Sequence, residues 1–273
     1  MIGVSLFFSK DRPMQLDLAL RSYFLNRLDN TSNDTFVLYL ASNADYECGY
    51  KILSEKYSFI NFIRQTNNFK QDMLNIIGKH PVCGFFVDDC IFTSPFNIGY
   101  IEWAILNNPF AIGYSLRLGE NIEWCYPANA KQEYPSRIFS CHGDVMYLWP
   151  EGSLDFGYPL ELSSSIYPTE VIIEIMNAFD FTTPNALEDR MSNCASMMAR
   201  RRPFLLIPRG HSKCFCAPMN KVQSSHKNRS SDNPEYSPEK LLELFLKGKR
   251  IKLKNWKNNS PHQEVEYEYY DEQ

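Results

Sequence analysis

No run of apolar residues in this 273-residue chain approaches the roughly 20 that a bilayer-spanning helix needs, so no membrane-spanning segment is expected. The start, Met1-Ile2-Gly3-Val4-Ser5-Leu6-Phe7-Phe8, lacks the basic residues and small-residue cleavage site of a secretory signal. Positive charge is not in excess: 28 Lys and Arg against 32 Asp and Glu give a net charge of −4. That argues against general nucleic-acid binding, and it leaves an anionic ligand to be met by a local positive site or a metal ion. A disulfide framework is missing too. The eight cysteines have scattered spacings, and a chain of this length needs no covalent staples. Cys83 and Cys90 lie in apolar text, where a thiol behaves as a small hydrophobe. A reducing, cytoplasmic compartment is the expectation. No internal repeat is visible.

What is present is ordinary globular usage, with 44% hydrophobic and 22% charged residues, and a high aromatic content of 14%. Apolar runs alternate with helical periodicity through the first half. Strands are expected at residues 2–8, 35–41, 59–63 and 83–87. Helices are expected after Pro13, with Leu16, Ala19, Leu20, Tyr23 and Phe24 on one face, and at 45–57 and 69–78. Such alternation predicts a mostly parallel sheet covered by helices, with ligands at the carboxyl ends of the strands. The loop at 9–13 and the pair Asp88-Asp89 both fall at such ends.

The second half is more mixed. Helices are expected at 98–107, around Val171 to Phe179, after Thr183-Pro184, and after Ser237-Pro238 up to Gly248. Strands are expected at 110–118 and 144–149. Residues 223–233 read as a polar loop, and the acidic, Tyr-rich end at 264–273 as frayed.

Two adjacent carboxylates immediately after an apolar strand, Val87-Asp88-Asp89-Cys90, repel each other unless something cationic sits between them. Mg²⁺ or Mn²⁺ removes that penalty and neutralises charge on a departing diphosphate. In extended backbone the two side chains diverge, so one would reach the metal and the other ribose or base. A turn or a helix cap is the plain alternative.

The start from Ser5 to Pro13, the strand ending in Asp88-Asp89 and the apolar Ile91-Phe92 after it resemble the nucleotide-sugar-binding half of GT-A glycosyltransferases, the family 2-like group in particular. The family's acidic DxD motif matches Asp88-Asp89, with Cys90 in its third position. That departure leaves open which carboxylate takes the metal, and Asp89 is favoured. Tyr114-Ser115-Leu116-Arg117-Leu118-Gly119, Pro184-Asn185-Ala186-Leu187-Glu188, Asn220-Lys221-Val222-Gln223, Ser237-Pro238-Glu239 and Gly248-Lys249-Arg250-Ile251 resemble later parts of an uncharacterised bacterial and viral branch. The resemblance implies an α/β GT-A domain over residues 1–225, with a nucleotide-sugar half at 1–120 and an acceptor half at 121–225. Residues 226–273 would then form a C-terminal extension with one helix and an acidic tail.

The resemblance implies roles for further residues, each with a structural alternative. Ser9, Asp11 and Arg12 would cradle the nucleotide, Arg12 pairing with phosphate in bidentate fashion, or else form a solvated loop. Lys70 and Asp72 would contact the nucleotide, or lie on a solvated helix face. Arg117 sits in apolar text and needs a partner: a phosphate, a sugar hydroxyl or a structural carboxylate. Glu188, with Asp155 second, is the candidate base for an acceptor hydroxyl, the alternative being a surface pair on a helix. His226 would complete the metal shell from the C-terminal loop. A zinc site from His211, Cys214, Cys216 and His226 is disfavoured, because tetrahedral zinc wants four nitrogen or sulfur ligands at a fitting spacing, which these four do not show. Trp103, Trp124, Trp149 and Tyr158 would stack sugars or fill the core. The basic runs at 200–202 and 247–257 would attract a lipid-linked acceptor or a membrane surface, or be ordinary surface.

The expected activity is transfer of a sugar from a UDP- or GDP-sugar to a hydroxyl on a glycan, lipid or protein, dependent on Mn²⁺ or Mg²⁺ and inverting. A nucleotidyltransferase would carry a Gly-rich phosphate loop after the first strand, and Ser9 to Pro13 holds no glycine. A catalytically silent sugar-binding protein on the same fold is the rival outside enzymes.

Overall fold

The computed structural model describes residues 3–29, 34–223 and 229–272. Its first half alternates as the periodicity predicts: β1 (Val4–Lys10), α1 (Pro13–Asn26), β2 (Asp34–Leu40), α2 (Ala44–Lys56), β3 (Asn61–Arg64), α3 (Phe69–Ile77) and β4 (Val82–Val87), with a short β5 (Cys90–Phe92) directly after. Then follow α4 (Ile98–Leu106), β6 (Ala111–Ser115), a small hairpin of β7 (Trp124–Cys125) and β8 (Ala130–Lys131), β9 (Ile138–Cys141) and β10 (Asp144–Leu148). The chain continues through β11 (Ser164–Pro168), α5 (Thr169–Ala178), α6 (Pro184–Met198), β12 (Phe204–Ile207), β13 (Cys214–Cys216), α7 (Pro238–Leu246), β14 (Lys249–Ile251) and β15 (Tyr269–Asp271).

One nine-stranded sheet organises the molecule, in the order β3-β2-β1-β4-β11-β6-β12-β10-β9. β1 pairs parallel with both β2 and β4, and β2 with β3. β12 is parallel to β6, while β11 runs against β4 and β6, and β10 against β12 and β9. Seven of the nine strands therefore share one direction, β10 and β11 being the exceptions.

Alternation along the central strands divides the core in two. Phe7, Val37 and Phe86 face one side with α1, α2 and α7. Leu6, Phe8, Leu38 and Phe85 face the other with α3, α5 and α6. The starts at Thr183 and Ser237 carry the caps that the sequence signals, and α2 and α3 are capped by asparagines that it did not single out. The side chains of Asn43, Asn68, Thr183 and Ser237 each accept a backbone N–H of the following turn, and Pro184 and Pro238 stand just inside their helices. α1 differs: Arg12 occupies its cap position without a capping bond, because its side chain is used elsewhere.

Several features depart from the sequence reading, among them two strands of the main sheet and the C-terminal tail. β11 and β12 are strands that no periodicity flagged. β11 begins Ser164-Ser165, and these serines are fully buried because the Glu161 carboxylate accepts from Ser164 N at 3.1 Å and from the Ser165 hydroxyl. The acidic tail, expected to fray, is docked instead. β15 pairs with β14, Glu272 meets Arg250 at 2.6 Å and Lys56 at 2.5 Å, and Tyr267 is buried. The tail's acids find the basic run facing them: Lys249 with Asp271 at 2.7 Å, and Lys254 with Glu268 at 2.5 Å. That run is thereby largely neutralised within the chain. Likewise Arg201 and Arg202 pair with Glu174 at 2.6 Å and Glu170 at 2.5 Å. Among the described residues, no helix is long and apolar enough to cross a membrane.

Candidate active site

A cleft of about 860 Å³ opens at the carboxyl ends of β1, β2 and β4, where open α/β sheets bind their ligands. Its walls bring together Ser9, Arg12, Asp88, Asp89, Arg117, Asp155 and Glu188, residues spread over 180 positions of sequence. The first four come from the parallel half. The last three come from the loops and helix that follow β6, β10 and β11.

Asp88 and Asp89 form the turn between β4 and β5. The expectation that their side chains diverge assumed extended backbone. In the turn both carboxylates converge on one guanidinium, with Arg12 Nη1 3.0 Å from Asp88 Oδ1 and 3.2 Å from Asp89 Oδ2. Asp88 also accepts from Ser9 Oγ at 2.9 Å and from Lys10 N at 3.3 Å. Asp89 is held by its backbone, its carbonyl accepting from Ala217 N at 2.9 Å where β13 pairs with β5. Burial raises the carboxyl pKa of Asp88 despite the opposing pull of Arg12. It pushes that of Asp89 up to about 7, again against Arg12 and with the help of Asp88.

Arg12 does not present a free fork to phosphate, as the sequence reading had it. Its Nε donates to Asn220 Oδ1 at 2.7 Å and its Nη2 to the Asn220 carbonyl, so four of its five N–H donors are engaged within the chain. Asn220 carried no individual signal beyond its place in the Asn220–Gln223 segment, and Tyr50, whose hydroxyl bonds Ser9 Oγ at 2.7 Å, carried none.

Glu188, in α6, also lines the cleft, and it accepts from the Tyr158 hydroxyl at 3.1 Å and from Leu162 N at 3.3 Å. Burial, then the nearby Glu161, push its carboxyl up to about 7, while Arg117 opposes them. Arg117 is buried between Asp155 at 3.5 Å and Glu161 at 3.7 Å. Burial lowers its pKa, but the two carboxylates more than compensate and hold it raised. Asp155 also accepts from Gln132 Nε2 at 2.9 Å, so it is a member of a buried ion network, whereas the hydrogen-bond donors to Glu188 among the described residues are neutral. His262, which the sequence reading did not single out, borders the same network. Burial and then Arg117 push it down to about 4, so it is neutral.

The remaining candidates lie elsewhere. Asp11 turns away from the cleft, its carboxylate accepting from Ser42 N at 2.7 Å and Ser42 Oγ at 2.5 Å. Lys70 donates to the Phe179 carbonyl at 3.0 Å and stands 3.7 Å from Asp180, tying α3 to the end of α5. Asp72 reaches back to Thr66 N at 2.7 Å, closing the start of α3. Each of the three is used by local structure. His226 falls outside the described residues. Of the four aromatics named for sugar stacking, Tyr158 lines the cleft. Trp149 is buried with its Nε1 on the Arg202 carbonyl at 2.8 Å, and Trp103 lies against His142 on α4.

Among the described residues, no group of three or more His, Cys, Asp or Glu side chains is arranged to hold a metal. Asp88 and Asp89 supply two carboxylates only. That donor set suits Mg²⁺ or Mn²⁺, which take one or two carboxylates and complete their shell with water and substrate phosphates. It does not suit an ion caged by protein alone.

No family model matches the chain. The bifunctional glycosyltransferase pgtA of Dictyostelium discoideum is 27% identical over 93% of the chain, and the chain spans 36% of that relative's length. Among solved structures, S. aureus TarS superposes with a TM-score of 0.51 at 10% identity, covering 80% of this chain and 37% of TarS. TarS 1-349 in complex with UDP gives the same TM-score at 9% identity, covering 80% of this chain and 62% of that one. The chain has the GT-A glycosyltransferase fold, and its relationship in sequence is to a glycosyltransferase.

Proposed function

We propose that the chain transfers a sugar from a UDP- or GDP-sugar to a hydroxyl on a glycan, lipid-linked or protein acceptor. The observation that carries this reading is the convergence of Asp88 and Asp89 with Glu188 in one cleft at the carboxyl ends of the parallel strands. TarS 1-349, which has the same fold, is solved in complex with UDP, and that supports a nucleotide ligand.

Asp89 is the metal ligand of choice. Its side chain reaches the cleft with Arg12 as its one ion-pair partner among the described residues, whereas Asp88 is engaged by Ser9, Lys10 N and Arg12. A bound Mn²⁺ or Mg²⁺ supplies Lewis-acid stabilisation of the leaving diphosphate. Asp88 holds Ser9 and Arg12 in place beneath it. Glu188 takes the proton from the acceptor hydroxyl; a base whose pKa is tuned to about 7 is matched to that task near neutral pH. Attack from the Glu188 side with the diphosphate leaving on the Asp89 side implies inversion at the anomeric carbon. Asp155 is reserved for the Arg117 network. The absence of glycine between Ser9 and Pro13 disfavours a nucleotidyltransferase.

Thermal unfolding in the presence of UDP or GDP, each with and without Mn²⁺, tests the reading. One nucleotide should raise the midpoint by ~5 °C at a hundredfold excess over its Kd, and only with Mn²⁺ present. Stabilisation by glycans with no response to either nucleotide would replace the transferase with a sugar-binding module.

A further inference from the structure

Arg12 is the cation that the acidic pair already has. Its Nη1 spans the two carboxylates at 3.0 and 3.2 Å, and all three side chains are largely withdrawn from solvent, at 11%, 5% and 12% exposure. Coulombic attraction there is poorly screened. The guanidinium is also fixed from behind. Nε and Nη2 bond Asn220, whose Nδ2 is held in turn by the Tyr236 carbonyl at 2.6 Å. The backbone leading into Arg12 is pinned as well. Asp11 adopts a left-handed φ of 54°, secured by its bonds to Leu40 O and Ser42, and Arg12 N donates to the Tyr50 hydroxyl at 3.2 Å. An arginine held at so many points does not swing aside at small cost.

We propose that Arg12 is the resident counter-cation of Asp88 and Asp89, and that its anchored charge makes capture of a divalent ion conditional on a diphosphate arriving with it. This rests on the assignment of Asp89 as metal ligand. Two carboxylates against one guanidinium leave a single negative charge, and no third His, Cys, Asp or Glu ligand stands nearby among the described residues. A lone Mn²⁺ or Mg²⁺ therefore meets a weak, half-neutralised site. A nucleoside diphosphate brings both the missing charge and the missing oxygens, so metal and donor enter together. Arg12 stays in place through binding and acts through the carboxylates, as a positioning residue.

The test is Mn²⁺ binding without nucleotide at pH 8, read by the electron paramagnetic resonance of free Mn²⁺, on the full chain. Arg12→Gln should bind Mn²⁺ alone at least ~10-fold tighter than the unsubstituted protein, because one positive charge near the ion is gone. Arg12→Lys, which keeps the charge and loses the fork, should stay within about threefold of it. Asn220→Ala, which frees the guanidinium, should fall between. Equal Mn²⁺ affinity in folded Arg12→Gln, or an Arg12→Lys as tight as Arg12→Gln, would overturn the proposal. If Arg12→Gln fails to fold, Asn220→Ala decides, and unchanged affinity there counts against the idea. Mn²⁺-dependent binding of UDP or GDP by the unsubstituted chain separates the two levels. If it is present while Arg12→Gln changes nothing, this proposal alone falls. If it is missing, the metal assignment of Asp89 falls first.

Discussion

Asp89→Ala is expected to lower donor turnover by ~10³-fold or more and to abolish Mn²⁺-dependent nucleotide binding, because it removes the carboxylate through which a cation can meet the departing diphosphate. Steady-state release of nucleoside diphosphate and nucleotide titration with and without Mn²⁺ read the two effects separately. A general loss of fold is not the cause to expect. Burial pushes the Asp89 carboxyl from 3.8 in the unfolded chain up to about 7 in the folded one, so the fold disfavours the charged form. The sign follows from linkage. The cost is absent below about pH 3.8, grows as pH rises toward 7, and is constant above. Asp89→Asn, which never carries the charge, should therefore be at least as heat-stable as the unsubstituted protein at pH 8 while being inactive. Such a trade of stability for function is common at active sites. Turnover by Asp89→Ala within tenfold of the parent would remove the central assignment.

Glu188→Gln is the second large effect. Loss of a positioned base costs about 10²- to 10⁴-fold in kcat, and donor binding should be left intact if the proposed division of roles between Glu188 and Asp89 holds. The pH profile should carry the same signature. A base pushed up to about 7 is protonated and idle below that pH, so kcat of the parent should fall on the acid side of neutrality. At saturating Mn²⁺ and donor, where the bound cation keeps Asp89 ionised, the residual activity of Glu188→Gln should lose that limb. An amide variant that keeps both the rate and the acid limb would show that another group takes the proton, with Asp155 the next to substitute.

The parallel half of the fold was legible because apolar strands and periodic helices alternate there, with Pro13 marking the first helix start. The sheet's other half was less so. β11 hides behind serines that become strand-like once Glu161, just before them, accepts from Ser164 N and the Ser165 hydroxyl, a pairing that hydrophobic periodicity does not register. β15 looked like a solvated acidic tail because its partners, Lys249 and Arg250, lie some twenty residues earlier.

At the site, the sequence pointed to Asp88, Asp89, Arg12, Arg117 and Glu188, and the fold gathers all five on one cleft. It misjudged how they meet. Alternating side chains were assumed for Asp88 and Asp89, but a turn sets both toward Arg12, which is thereby taken from the phosphate role given to it. Asp11, Lys70 and Asp72 had the right residue types near the right loops. Whether such a side chain faces the cleft or closes a local turn depends on backbone direction, which composition does not encode. Glu161 and His262 were unreadable, since their place beside the buried Arg117 is set by packing between segments far apart in sequence.

The most direct test of the metal assignment is anomalous diffraction at the manganese edge from crystals soaked with Mn²⁺ and UDP or GDP. The expected result is a single manganese peak at roughly 2.0–2.2 Å from an Asp89 carboxylate oxygen, bridged to the diphosphate, the range typical of small divalent ions on oxygen. A nucleotide diphosphate seated in the cleft with no manganese beside Asp89, or with Asp89 still bound by Arg12 alone, would contradict it.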